Sequence, residues 1–344
     1  MELRDLIIAL ASQTGPAGFE RPAIEKAREL LEPYVDEIRT DVLGNLIGVR
    51  RCGEKNAPML LLDAHMDEVG LIVTGYEGGF LRFSNLGGVD DRILPATEVL
   101  ILTKDGPLRG VIDVLPPHLL TDEEREKPLP REKLFIDAGF ADEESAKKRV
   151  PQGTPVSYAT PCFAMGEHRL CGKSLDDRSC AAILIRAMEK LAGKKLAADV
   201  AVNLAVQEEV GGRGATTGTY AVDPDYALAV DVTFASEPGS PPDKTCKIDC
   251  GAAIGVGAAA SRAVSDRLIA LAERRGIPYE IEVVGGYSGT DGDDIQVSRA
   301  GVATGVLSLP LRYMHTPAEV IDLRSAEAAA DLVAAWVESF GEEE

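Results

Sequence analysis

The chain of 344 residues carries 56 acidic against 36 basic side chains, a formal net charge of −20. That excess excludes a sequence-independent nucleic-acid binder, which needs a basic surface, and an anionic membrane would repel it too. Hydrophobic residues make up 45% and aromatics only 5%, the composition of a globular protein with an aliphatic core, long enough for one large core or two domains. No apolar run approaches membrane-spanning length. The start, Met1–Ile8, lacks the basic region and cleavage site of a secretory leader. The six cysteines, at 52, 162, 171, 180, 246 and 250, show no paired-knuckle spacing, and Cys246 and Cys250 read as buried free thiols. A cytoplasmic, reduced protein is expected.

In chain order, Leu3–Ser12 has helical apolar spacing, with Gly15 as a stop. Pro22 suits the first turn of a second helix, whose inner face is Ile24, Ala27, Leu30 and Leu31. Ile38–Val49 reads as two short strands around Leu43-Gly44-Asn45. Met59–Leu62 is a buried strand that delivers Asp63-Ala64-His65-Met66-Asp67-Glu68-Val69-Gly70. From Gly70 to Met165 the pieces are short, glycine- and proline-rich and poor in helical periodicity, which predicts a small all-β insertion. The charged stretch 121–133 reads as an exposed loop. After Lys173 the α/β pattern resumes: a helix follows Asp176 and Asp177, and an apolar strand ends at Gln207-Glu208-Glu209. Tyr226–Val230 is a strand ending in Asp231, Ala263–Arg275 a helix and Pro278–Val284 a strand. Asp293–Arg299 starts another helix, Val302–Leu309 is a strand leading to His315, and Ser325–Phe340 closes the chain. The acidic end, residues 342–344, is expected to fray.

Two adjacent glutamates after a buried strand are costly to hold near an apolar core unless something neutralises them. A solvated turn is the plain reading of that pair alone. A bound metal is the alternative, with one carboxylate as ligand and its neighbour as a base acting on water. His65, Asp231 and His315 also stand past apolar strands, where open α/β sheets bind ligands, and Asp176 stands before a helix. The chain has only four histidines, and two of them take such positions. Two imidazoles with three or four carboxylates suit a pair of Zn²⁺ or similar borderline ions. Asp67 is placed to orient His65 or to cap the following turn. His118 and His168 match no ligand pattern.

These stretches, with Gly172–Arg178, Ala229–Thr233, Ser288-Gly289-Thr290-Asp291 and Pro310–Pro317, resemble the tetrahedral (TET) aminopeptidase family of dinuclear metallopeptidases, also called glutamyl aminopeptidases or cellulase-M-like proteins. The resemblance runs in the family's order over nearly the whole chain. It implies a mixed α/β catalytic domain of zinc-peptidase type, with a mixed sheet flanked by helices, from residues 1–66 and 166–344. Residues 67–165 would be an inserted β domain that helps build dimers and then a dodecameric shell.

By the same resemblance, Asp176 bridges two divalent ions, Zn or Co. Glu209 and His315 complete one site, and His65 and Asp231 the other. Glu208 is the general base, Asp67 supports His65, and Asp177 is structural, joined to Asp176 by a cis peptide. The substrates would be short peptides. Two departures are visible: Gly292 after Thr290-Asp291, where relatives favour alanine, and Gly212 before Arg213, where relatives have a larger residue. A deacylase or carboxypeptidase using the same ion pair is the nearest rival. A glycosidase, whose carboxyls flank the scissile bond without a metal, fits adjacent glutamates poorly. A non-catalytic assembly protein predicts missing ligands, and none is missing.

Overall fold

The computed structural model describes all residues except 123, 124, 126, 128, 343 and 344. Part of the loop expected over 121–133 and the last two residues of the acidic end therefore lie outside the described residues. Helices α1 (Leu3–Ala11) and α2 (Arg21–Leu31) lead into strands β1 (Glu37–Thr40), β2 (Leu46–Arg50) and β3 (Met59–His65). Six strands follow: β4 (Gly70–Glu77), β5 (Phe80–Leu86), β6 (Glu98–Thr103), β7 (Gly106–Ile112), β8 (Ile136–Asp137) and β9 (Pro155–Tyr158), with helix α3 (Glu143–Arg149) between the last two. Then come β10 (Phe163–Met165), β11 (Arg169–Gly172), α4 (Leu175–Leu191), β12 (Asp199–Ala205), α5 (Arg213–Val222) and β13 (Tyr226–Phe234). The chain closes with β14 (Ala252–Gly257), α6 (Arg262–Arg275), β15 (Tyr279–Val284), α7 (Gly292–Ile295), β16 (Ala303–Arg312), β17 (Glu319–Asp322) and α8 (Leu323–Glu338).

Two sheets result. The larger has eleven strands in the order β1-β2-β12-β3-β13-β16-β17-β11-β10, with β14 and β15 branching from β16. Its centre, β12-β3-β13-β16, is parallel throughout. Such strands are covered on both faces, which is why Met59–Leu62 is continuously apolar rather than alternating. Leu60, Leu62, Val200, Val202, Leu228 and Val230 share the main core, to which α1, α2, α4, α6 and α8 also contribute. The intervening Leu61, Ala201, Ala227 and Ala229 pack with Ala215 of α5 and Ile295 of α7. Asp63, His65 and Asp231 follow these alternate residues in period, so they point to that second face.

Strands β4-β5-β8-β7-β6-β9 close into a barrel with a core of its own, including Leu71, Val73, Leu81, Val99, Ile101 and Val156. β10 pairs with β11 and so belongs to the large sheet.

Two helices escaped the sequence reading. α3 buries only Ala146 and so lacks an apolar stripe. It is held by a capping box between Asp142 and Ser145 and by acids in its first turn and bases in its last. α5 contains Gly214 and Gly218, poor helix formers by intrinsic propensity. A Cβ at either would come within 2.4–2.5 Å of Asn45, Val206 or Asn203, so these glycines allow the helix to lie directly on β12. Strands β11, β14 and β17 were also missed; β11 and β17 are only four residues long.

Candidate metal centre

Because β3, β12, β13 and β16 run parallel, their carboxyl ends open on one edge, and four distant segments meet there. His65 ends β3, Glu208 and Glu209 follow β12, Asp231 lies near the end of β13 and His315 follows β16. The fifth segment is the start of α4, where Asp176 and Asp177 have non-helical backbone and are joined by a cis peptide. Gln207, Ser174, Tyr313 and His315 all have φ near +60°. Left-handed conformations in bulky residues cluster at functional sites, where the surroundings hold them.

Asp176 lies between the two imidazoles. His65 Nε2 is 3.1 Å from its Oδ1, and His315 Nε2 is 3.4 Å from its Oδ2. His315 Nε2 is also 3.3 Å from Glu209 Oε1, and its Nδ1 is 2.8 Å from the Gly88 carbonyl, which can only accept. That contact puts the ring proton on Nδ1 and leaves Nε2 free as a ligand. His65 Nδ1 sits 3.4 Å from Asp67 Oδ1 without hydrogen-bond alignment. Asp67 also accepts from the backbone N–H groups of Glu208 and Glu209 at 3.0 and 3.1 Å, so one carboxylate braces both β3 and the glutamate turn.

Donor atoms of Asp176, Glu209 and His315 lie within 4.8 Å of one another, as do those of His65, Glu208 and Glu209 and those of His65, Asp177 and Asp231. Asp177 thus stands closer to the His65 side than a purely structural residue needs to. Its Oδ2 accepts the His65 N–H at 3.1 Å, and its Oδ1 has no partner.

The charges are unbalanced without a cation. Burial pushes the Glu208 carboxyl up to about 7, with Glu209 and Asp176 adding repulsion and His65 opposing. Burial, then the neighbouring carboxylates Asp176 and Glu208, holds Asp231 well above the carboxylate range. For His315 burial acts downward, but Asp176 and Glu209 win and raise it to about 11. Burial acts upward on Asp176, yet the two imidazoles hold it below its ordinary value. Two convergent imidazole nitrogens with buried, mutually repelling carboxylates form a donor set that a pair of divalent cations fits.

Three features carried no assignment from sequence. Glu319, buried on β17, accepts from the backbone N–H of Leu175 at 2.7 Å, Asp176 at 3.1 Å and His315 at 3.0 Å. It locks the Asp176 turn to the His315 turn; a glutamate opening the apolar Val320-Ile321 was the available signal. Gly88, from the loop after β5, gave none. Asp63 and Asp291 form a second buried carboxyl pair. Burial lifts Asp63 to about 6 and Asp291 well above its usual value, while Asn203 donates to Asp63 at 2.6 Å.

Behind the site, Glu68 accepts from Lys173 Nζ at 2.6 Å, Ser157 Oγ at 2.8 Å and Gly15 N at 2.8 Å, with Arg178 at 3.7 Å. Although burial acts to raise it, the Lys173 and Arg178 charges hold its carboxyl down at about 2. His118 is an exposed residue of the single turn Pro117–Leu119, and His168 is an exposed neighbour of Glu167. The six cysteines are free; Cys246 is buried and Cys250 half-buried.

A cavity of about 450 Å³ opens over these donors. Parallel strands of an α/β sheet that present two histidines and a ring of carboxylates at their carboxyl ends define a metal-dependent hydrolase architecture. The profile of the M42 glutamyl aminopeptidase family matches residues 44–332. An aminopeptidase from the archaeon Desulfurococcus kamchatkensis superposes with a TM-score of 0.91 at 36% identity, covering 98% of this chain and 94% of that one. The TET1 peptidase of Pyrococcus horikoshii, which can assemble into a tetrahedron or a large octahedral shell, superposes with a TM-score of 0.86 at 30% identity, covering 98% and 99%. The lysyl aminopeptidase of Pyrococcus furiosus is 32% identical over 340 residues, 97% of this chain and 96% of that one. The chain belongs to the M42 family and is an aminopeptidase, a hydrolase of peptide bonds.

Proposed function

We propose that the protein removes the amino-terminal residue of short peptides with two divalent cations, Zn or Co, held by His65, Asp176, Glu209, Asp231 and His315. The observation that carries this reading is the position of Asp176, with one oxygen toward each imidazole Nε2. When bound, the cations supply Lewis acidity toward the scissile carbonyl and toward a water molecule.

The remaining work falls to the chain. Glu208 takes the proton of the attacking water and passes it to the departing amine, a task suited to a carboxyl held up at about 7. Asp67 keeps His65 and the glutamate turn in register, and Gly88 and Glu319 do the same for His315. Residues 1–66 and 166–344 act as the catalytic unit, and 67–165 as the inserted unit that joins subunits into dimers and a dodecamer. The shell assembly of the TET1 relative supports an oligomer, and the separate core of the barrel supports the division. Among the described residues no helix is long and apolar enough to cross a membrane, and six free cysteines accord with a cytoplasmic setting.

The test is a panel of aminoacyl p-nitroanilides and N-acylated amino acids with native, chelator-stripped and Zn- or Co-restored protein. Hydrolysis of the free-amine substrates alone, lost on stripping and regained on restoration, is expected. Activity that survives complete stripping overturns the metal assignment, and turnover of acylated amino acids instead supports a deacylase.

A further inference from the structure

The cavity over the donors continues past them onto β13, β15 and β16. Thr233 and Asp231 share a face of β13, two residue rises or about 6.8 Å apart, and Ser308 of β16 is the register partner of Asp231. Both hydroxyls converge on Glu282 of β15: Thr233 Oγ1 donates to its Oε1, and Ser308 Oγ to its Oε2 at 2.7 Å. The carboxylate is therefore fixed against the cavity wall with acceptor capacity left on each oxygen.

Beyond the metal donors and Glu208, Glu282 is the charged side chain of this wall, and among the described residues no lysine or arginine lines the cavity. Lys247, the basic residue near this strand, pairs with Glu280 at 3.5 Å instead. Val284, Val306 and Met314 add apolar lining. An apolar passage ending in an anchored carboxylate suits an alkyl stem tipped by a cation.

We propose that Glu282 makes this wall the subsite for a positively charged first side chain, so that the enzyme prefers peptides beginning with lysine or arginine. The inference rests on the site reading above. Names do not decide it, because the matching family is called glutamyl while one relative is called lysyl.

The test compares Lys-, Arg-, Leu- and Glu-p-nitroanilide on metal-loaded wild type and Glu282→Gln. Wild-type kcat/KM for Lys and Arg should exceed that for Leu and Glu by about tenfold or more, and Glu282→Gln should cut the Lys-to-Leu ratio by about 10–100-fold. Calorimetry gives a second readout on the wild type: free L-lysine should bind more tightly than L-norleucine, which shares the four-carbon stem and lacks the ammonium. A wild type that prefers Leu or Glu overturns the proposal. So does a variant that loses all substrates equally, or equal binding of the two amino acids. If no aminoacyl anilide is cleaved, the aminopeptidase reading fails, and the calorimetric comparison still decides the subsite.

Discussion

Glu208 and Glu209 are neighbours in sequence, share one turn and both donate their backbone N–H groups to Asp67, yet their surroundings part them. Glu209 faces His315 at 3.3 Å, whereas Glu208 stays 3.9 Å from His65 and keeps a carboxyl held up at about 7. A ligand and a proton carrier can therefore be separated by substitution. Glu208→Gln should lower kcat by about 10²–10⁴-fold while elemental analysis still finds both ions. Loss of metal together with activity would move Glu208 into the ligand set. The seven residues singled out from sequence come together because six stand at or just past the carboxyl ends of parallel strands and Asp176 opens the helix beside them. Glu319, with only a faint signal, and Gly88, with none, went unread for opposite reasons. One contributes a side chain to backbone groups, which leaves no spacing pattern, and the other contributes only a carbonyl, which every residue has.

At the level of elements, Gly212, just before α5, lies against Asp294 of α7, two residues after Gly292. Gly212 precedes α5 with φ +58°, and a Cβ there would lie 1.8 Å from Asp294 Oδ2 of α7. Asp294 in turn meets Thr216 of α5 at 3.3 Å. A larger residue at 212 would have to displace the aspartate at 294, and the two positions pack α5 against α7 on the second face of the sheet. Gly212→Ala should destabilise by about 1–3 kcal/mol, from left-handed strain and overpacking. Adding Asp294→Ala should return part of that loss in a denaturant-unfolding cycle, and strictly additive values would show that the two positions act independently. Boundaries of the long apolar elements were legible to within a few residues. The short pieces were not: α3, α5 and β17 owe their form to caps, close backbone approach and neighbouring strands rather than to periodicity.

For the whole molecule, the centre stores a charge imbalance that couples metal content to stability. In stripped protein Glu208 is raised to about 7 and Asp231 well above its ordinary value, so the folded form holds protons the unfolded chain has released. A carboxyl raised in this way stabilises fully below its unfolded value of about 4 and loses that contribution as pH rises through its folded value of about 7. His315, raised to about 11, carries the same trend further. The melting temperature of stripped protein should therefore fall between about pH 5 and pH 8, while loaded protein stays flat over the same range. A pH-independent gap between the two would refute this account. The barrel also bears on the centre, since among the described residues Gly88 offers the one acceptor for His315 Nδ1. An engineered miniature that spliced the chain across the barrel would retain all five donors and still misdirect one of them, its imidazole no longer told which nitrogen to offer. Under the proposed mechanism the barrel would thus tune the chemistry through Gly88 as well as separate the two halves of the sheet.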